Sequence, residues 1–114
     1  MIHIVFIRQD QRYSLIEVSG HAGYEDSGKD IVCAGISALL GGMLNGLEFF
    51  LGDEFVYQVD PEGHAKVVLA GTMSDKLYEK AYTIIKTFEL GVRMVHQDYP
   101  DYVIIHKEEV DRDD

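Results

Sequence analysis

The chain has 114 residues, the size of one domain that buries a core without disulfides or metals. Its 46% hydrophobic content excludes a disordered chain. Its single cysteine excludes an internal disulfide, which is typical of proteins in the reducing cytoplasm. The net charge of −10 repels a phosphate backbone, so we expect no direct nucleic acid partner. The acidity suits either a basic protein substrate or mere solubility. Residues 1–8 lack the features of a signal peptide.

The chain begins with two β-branched, alternating runs that predict strands over Ile2–Ile7 and Tyr13–Ser19. Apolar residues on both faces of the first strand predict that it is central in its sheet and covered on both sides. The following stretch, Gly20 to Lys29, contains three glycines and polar residues that disfavour helix and strand. Its length favours a functional loop or lid over a plain connector.

Residues 31–51 are apolar almost throughout, and this run is long enough to raise the question of a membrane span. Four interior glycines, Asn45 and Glu48 argue against one, and we predict no membrane contact and a buried core helix. The residues expected to face the core are Ile36, Leu40, Met43, Leu47 and Phe50. A row of small residues permits close approach of the sheet, a second helix or a second copy, and we expect packing within the chain; the row is Ala34, Ala38, Gly42 and Gly46.

The remainder predicts a hairpin, a second helix and a last strand. Gly52 ends the first helix, and the runs 54–60 and 65–70 flank a Pro-Glu-Gly-His turn. Thr72 and Asp75 resemble a capping pair, and Gly91 lies near the expected end of the second helix. The apolar face of that helix is predicted to be Leu77, Ala81, Ile84, Ile85, Phe88 and Val92.

Tyr102–His106 then predicts a short final strand, and residues 107–114 a solvated acidic tail. The order is therefore β-β-α-β-β-α-β in a single domain, residues 1–114. This order predicts an α+β, two-layer sandwich with a mostly antiparallel sheet and two helices on one of its faces.

The histidines and the cysteine are scattered, without the close pairs of zinc sites, so we predict no metal and no other cofactor.

A cysteine nucleophile fits the sequence better than a metal site. Cys33 falls in the first turn of the predicted helix, where unpaired N–H groups and the helix dipole favour a thiolate. His21 ends a strand twelve positions earlier, placed to serve as general base. Asp30 is positioned to cap the helix, orient the imidazole or both, and Ser37 lies one turn beyond the cysteine.

A lone cysteine beside small apolar residues is more often a plain core residue, so spacing alone does not establish catalysis. The segments Gly20-His21-Ala22-Gly23 and Gly28-Lys29-Asp30-Ile31-Val32-Cys33-Ala34-Gly35-Ile36-Ser37-Ala38-Leu39 resemble the signature of the bacterial ribosomal-processing cysteine proteases, called Prp. The resemblance extends over the whole chain in length and element order.

The resemblance implies a cysteine endopeptidase that removes the N-terminal extension of a large-subunit ribosomal protein, number twenty-seven, during ribosome maturation. It implies that Cys33 is the nucleophile and His21 the base, with Asp30 and Ser37 in supporting positions, and that the protein is a homodimer. A substrate-binding or lid loop is expected at Gly20, Ala22, Gly23 and Gly28. The alternatives are a noncatalytic ribosome-associated binding or assembly factor, and a redox-sensing thiol protein, which the absence of a second cysteine disfavours.

Overall fold

The structure is a computed structural model that describes residues 1–26 and 30–111. Within those residues, five strands form one sheet in the order β3-β4-β2-β1-β5. The strands are β1 (Ile2–Gln9), β2 (Arg12–Gly20), β3 (Phe55–Val59), β4 (Ala65–Leu69) and β5 (Val103–Val110). The β1–β2, β2–β4 and β3–β4 pairings are antiparallel, whereas β5 pairs with β1 in parallel. The predicted element order and mostly antiparallel sheet are confirmed.

Strand β1 lies between β2 and β5, so it is an interior strand as predicted. Its alternate residues Ile2, Ile4 and Phe6 are buried in the core, whereas His3 is exposed and Val5 is half-buried. The prediction that both faces are covered is wrong, because the two helices pack on one face of the sheet and leave the other open.

Helix α1 (Ile31–Leu51) confirms the predicted bounds. Gly52 ends it with a φ of 59°, and its amide donates to the carbonyl of Glu48 at 3.0 Å. The predicted core position Phe50 is wrong, since that ring is half exposed and Leu51 is buried in its place. By length and composition α1 would pass for a membrane span, but here one side of it belongs to the core; the buried residues are Val32, Ile36, Leu40, Met43, Leu47 and Leu51.

Helix α2 (Asp75–Asp98) begins differently from the prediction. Ser74 caps it by accepting a hydrogen bond from the amide of Leu77 at 3.2 Å, so the Thr72–Asp75 capping pair is wrong. The helix also continues past Gly91, which lies where α2 meets α1: a Cβ there would be 2.9 Å from the Leu39 side chain. The buried face is Tyr78, Ala81, Ile85, Phe88, Glu89 and Val92, with Leu77 and Ile84 only partly buried.

The C-terminal strand is longer than predicted: residues 107–110 are exposed, as expected, but belong to β5 and not to a tail, and residues 112–114 of the predicted tail lie outside the described residues. β5 runs to Val110, whose carbonyl accepts from the Asp10 amide at 3.1 Å. Glu109 pairs with Arg8 of β1 at 3.4 Å. The acidic composition suggested solvation, but an edge strand tolerates charged residues on the side that faces water.

The small-residue row of α1 packs within the chain at one position only. Gly46 faces Ile84 of α2, where an added Cβ would lie 3.5 Å from that side chain. The other three members, Ala34, Ala38 and Gly42, are exposed. The helices approach closely at Gly46 and Gly91, and an open groove lined by residues of both helices lies beside Ala38 and Gly42.

Candidate active site

Cys33 lies in the first turn of α1, as predicted, and its half-buried side chain packs against the core. The helix begins at Ile31 because Asp30 caps it in an extended conformation. Its Oδ1 accepts from the amides of Val32 at 3.0 Å and Cys33 at 2.9 Å. The capping role predicted for Asp30 is confirmed.

Asp30 also connects the helix to the loop before it. Its other oxygen, Oδ2, accepts from the amide of Tyr24 at 3.1 Å. The amide hydrogen bond from Cys33, more than that from Tyr24, lowers the pKa of the Asp30 carboxyl below its ordinary value of 3.8. Asp30 is therefore ionised at neutral pH and holds loop and helix together through main-chain donors.

This cap corrects one part of the sequence-based reasoning. The amides of the first turn were expected to be unpaired and to favour a thiolate, but those of Val32 and Cys33 bind Asp30 Oδ1. The amide of Ala34 donates to the Asp30 carbonyl at 3.0 Å. An amide hydrogen bond to the sulfur comes from outside the helix: the amide of Ala22 lies 3.3 Å from Cys33 Sγ.

His21 directly follows the last residue of β2 and is exposed. Gly20 before it has a φ of +89°, and a Cβ there would collide with the Met1 carbonyl oxygen, so only glycine fits. The Met1 amino group donates to the carbonyl oxygen of His21. The histidine backbone is therefore fixed against β1 while its ring remains at the surface.

His21 and Cys33 border one open groove of about 480 Å³. No hydrogen bond joins the imidazole to the sulfur among the described residues. The groove therefore brings together an imidazole and a thiol, which are the two groups needed for nucleophilic attack with base assistance. The other residues that line it are Gly23, Glu25, Asp30, Ala34 and Ser37.

The loop after His21 packs through one aromatic side chain. Tyr24 meets Tyr99 and Tyr102 edge-on, with ring centroids 5.5 Å and 5.2 Å apart. Gly23 has a φ of +71° and open space around its Cα. Gly28, predicted to belong to the same loop, lies outside the described residues.

Comparison with known proteins agrees with this geometry. The family model described as "Cysteine protease Prp" matches residues 1–104. The chain belongs to the Prp family. It is accordingly a cysteine protease, a hydrolase of peptide bonds, and the predicted relationship is confirmed.

One curated protein and two solved structures resemble this chain over most of its length. The ribosomal processing cysteine protease Prp of Bacillus subtilis is 26% identical over 86 residues, which cover 75% of this chain and 77% of that protein. The crystal structure of Prp from S. aureus with a covalently linked product peptide superposes with a TM-score of 0.83 at 25% identity, covering 94% of this chain and 99% of that one. The Streptococcus mutans protein SMU.848 gives 0.79 at 31% identity, covering 96% and 95%.

One conspicuous polar residue of this Prp chain was missed by the sequence analysis. Glu89 is buried on α2 with 1% of its surface exposed. Its position, four residues after Ile85 and three before Val92, falls on the apolar face of the helix, which was the available signal. Among residues 1–26 and 30–111, no group of three or more His, Cys, Asp and Glu side chains is placed to bind a metal ion.

Proposed function

We propose that this chain removes the N-terminal extension of large-subunit ribosomal protein number twenty-seven during ribosome maturation. Cys33 is the nucleophile and His21 the general base. The observation that carries this proposal is the groove that Cys33 and His21 share, in a chain of the Prp family. The similarity to the ribosomal processing cysteine protease Prp of Bacillus subtilis supports the substrate class.

In the proposed reaction, His21 removes the thiol proton as Cys33 Sγ bonds to the scissile carbonyl carbon. The protonated imidazole then donates this proton to the leaving amine, and the carbon–nitrogen bond breaks to leave a thioester. His21 next activates a water molecule, which attacks the thioester and releases the extension as a carboxylic acid. The open groove leaves room for an extended peptide to approach both side chains.

Asp30 and Ser37 support these steps by position. Asp30 holds the first turn of α1 and the Tyr24 amide, so it sets the distance between loop and nucleophile. Ser37 lies one helical turn after Cys33 and borders the same groove, where its hydroxyl is available to the substrate backbone. Gly20, Ala22, Gly23 and Gly28 belong to the segment that contacts or covers the peptide.

The proposal includes a cytoplasmic homodimer. Apolar side chains on the two helices are exposed, including Phe49 at 81%, Leu90 at 57% and Met94 at 60%. Burial of such side chains against a second copy would stabilise a dimer. Sedimentation equilibrium of the parent and of Phe49→Ser measures this, with a weaker dimer expected for the variant.

The cleavage proposal is tested with the purified ribosomal precursor and its N-terminal extension peptide. We expect specific cleavage by the parent chain and a loss of about 10⁴-fold or more in kcat for Cys33→Ala and for His21→Ala. His106→Ala is the matched control, because His106 is an exposed histidine on β5. Full cleavage by Cys33→Ala would exclude the proposed nucleophile.

A further inference from the structure

The sulfur of Cys33 faces two polar groups, the amide of Ala22 and the carboxylate of Asp30. The amide of Ala22 is the backbone donor of the two. Its nitrogen lies 3.3 Å from Cys33 Sγ, within hydrogen-bond distance for a sulfur acceptor. The Ala22 methyl group is 5% exposed and belongs to the core cluster. The donor is therefore fixed by packing of its own residue.

Stabilisation of the tetrahedral intermediate needs N–H donors aimed at the oxygen that becomes negative. A helix start usually supplies them, but in α1 the amides of Val32 and Cys33 bind Asp30 Oδ1. The amide of Ala34 binds the Asp30 carbonyl. Use of any of these three donors requires breaking either the Asp30 cap or the first hydrogen bond of the helix.

The peptide unit between His21 and Ala22 is held at both ends. Its oxygen accepts from the Met1 amino group and its N–H points at Sγ. A donor at the oxygen of a peptide polarises that unit and strengthens its N–H as a donor. Gly20, packed on the Met1 carbonyl, fixes the chain just before it.

We propose that the backbone N–H of Ala22 is an oxyanion-hole donor of this protease; this rests on the proposed role of Cys33. When Sγ bonds to the carbonyl carbon, the π electrons of the C=O bond move to its oxygen, and His21 carries the thiol proton. The new oxyanion is attached to the carbon that the sulfur has just bound. Because this oxyanion lies next to the sulfur, the fixed Ala22 N–H can donate to it without loss of the helix cap.

A first test uses the intact parent chain, labelled with ¹⁵N-alanine, and a peptide aldehyde that ends at the residue before the cleaved bond. The aldehyde carbon bonds to Sγ, and the resulting hemithioacetal oxygen occupies the oxyanion position. Mass spectrometry of the adduct on Cys33 verifies the nucleophile independently. We expect the Ala22 amide proton to shift downfield on adduct formation, while that of Ala34, bound to Asp30, stays in place. An adduct that shifts Ala34 but not Ala22 overturns the proposal.

A second test removes the N–H alone. Because Cys33 is the only cysteine, a synthetic 1–32 thioester can be ligated to 33–114 to give the native sequence. Lactic acid in place of Ala22 turns the amide into an ester and keeps the methyl group. We expect kcat to fall by about 10²–10³-fold with KM unchanged, relative to the all-amide ligated chain.

The competing donor is tested with glycolic acid in place of Gly23, which removes the next N–H along the chain. The proposal predicts a larger loss of kcat in the Ala22 ester than in the Gly23 ester. A large loss in the Gly23 ester together with full activity in the Ala22 ester assigns the donor to Gly23 and refutes the proposal. Cleavage by the all-amide chain and its absence in Cys33→Ala keep the failure of this inference separate from that of the proposed function.

Discussion

The two ends of strand β2 are built in opposite ways. At its start, Tyr13 is 2% exposed and is held by side chains: its hydroxyl donates to Glu89 and its amide donates to the Tyr78 hydroxyl at 2.7 Å. At its end, Gly20, His21 and Ala22 are held through their own main chain, which contacts Met1 and the Cys33 sulfur. Side chains secure the first end, whereas at the second they remain available for reaction.

Glu89 concentrates the interactions at the first end. Besides Tyr13, it faces Arg93 at 2.8 Å, Lys107 at 3.5 Å and Lys86 at 3.8 Å. Burial alone would raise the pKa of Glu89, but the hydrogen bonds from Tyr13 and Arg93 and the nearby lysines hold it below the ordinary value of 4.5. Burial, aided by Glu89, raises the pKa of Tyr13 above its ordinary value of 10, so its hydroxyl remains a donor.

Stability therefore depends on side-chain contacts at one end of the strand, and the reaction depends on main-chain contacts at the other. Substitution of a side chain at the start of β2 should lower the free energy of unfolding and leave the reaction intact. Disturbance of the backbone at its end should impair the reaction more than its effect on stability explains.

Glu89→Ala removes the acceptor from a buried tyrosine hydroxyl and from Arg93. We expect the free energy of unfolding to fall by about 3 kcal/mol, because a buried donor and nearby cations lose their partner. Urea unfolding measures this, and cleavage per folded molecule should be unchanged. Lys86→Ala is the control, with an expected loss under about 1 kcal/mol since its ammonium is partly solvated. Equal losses in both variants would show that the network contributes no specific stability.

Gly20→Ala tests the second end. A methyl group there overlaps the Met1 carbonyl, and the positive φ adds strain, so we expect a loss of more than about 2 kcal/mol in stability together with reduced kcat. Gly23→Ala is its matched partner, with a similar φ and no atom within 4 Å of the added Cβ. Strain alone predicts a loss of about 1 kcal/mol for Gly23→Ala. If the two variants unfold at the same urea concentration, the contact with Met1 is unimportant.

Two substitutions of Asp30 distinguish the effect of its negative charge from that of its capping hydrogen bonds. Asp30→Ala releases the Cys33 and Tyr24 amides, and misplacement of the nucleophile should reduce kcat by up to about 10²-fold. Asp30→Asn retains a good capping oxygen and should keep most of the activity. Peptide cleavage at several substrate concentrations resolves kcat from KM. An Asn variant as poor as the Ala variant would show that the negative charge itself is needed.

Acid should lower the free energy of unfolding of the parent chain more than that of the Glu89→Gln variant. The pKa of Glu89 is lower in the folded chain than its unfolded value, so the unfolded chain binds the proton more readily. Its contribution is complete above the ordinary glutamate pKa of 4.5 and is lost as the pH falls through the lower folded value. Unfolding measured from pH 7 downward should show a stability difference between the two chains that shrinks below pH 4.5. A constant difference would contradict the assigned linkage.

Local pattern was sufficient for much of the fold. The bounds of α1, the Asp30 cap and the Gly52 stop depend on residues close together in sequence, and each was predictable. The extension of β5 was not, because parallel pairing with β1 joins residues about a hundred positions apart and the sequence there is acidic. Phe50 and Leu51 are both apolar, and only tertiary packing decides which of them is buried.

The site was predictable as far as side chains define it. His21, Cys33, Asp30 and Ser37 come together at one groove, as their spacing and the family signature suggested. The contact from Ala22 was not predictable, since every residue except proline has an N–H and the side chain gives no signal. The buried interactions of Glu89 were likewise not predictable, because its partners Tyr13 and Lys107 are distant in sequence.

The most direct test of the central claim is the capture of the acyl-enzyme. The parent chain is mixed with the precursor, quenched with acid within the first turnovers and examined by intact and peptide mass spectrometry. The account predicts an adduct on Cys33 whose mass is that of the released extension less one water, and no adduct in Cys33→Ala. Cleavage without any adduct in the parent, or with an adduct on a different residue, would contradict it.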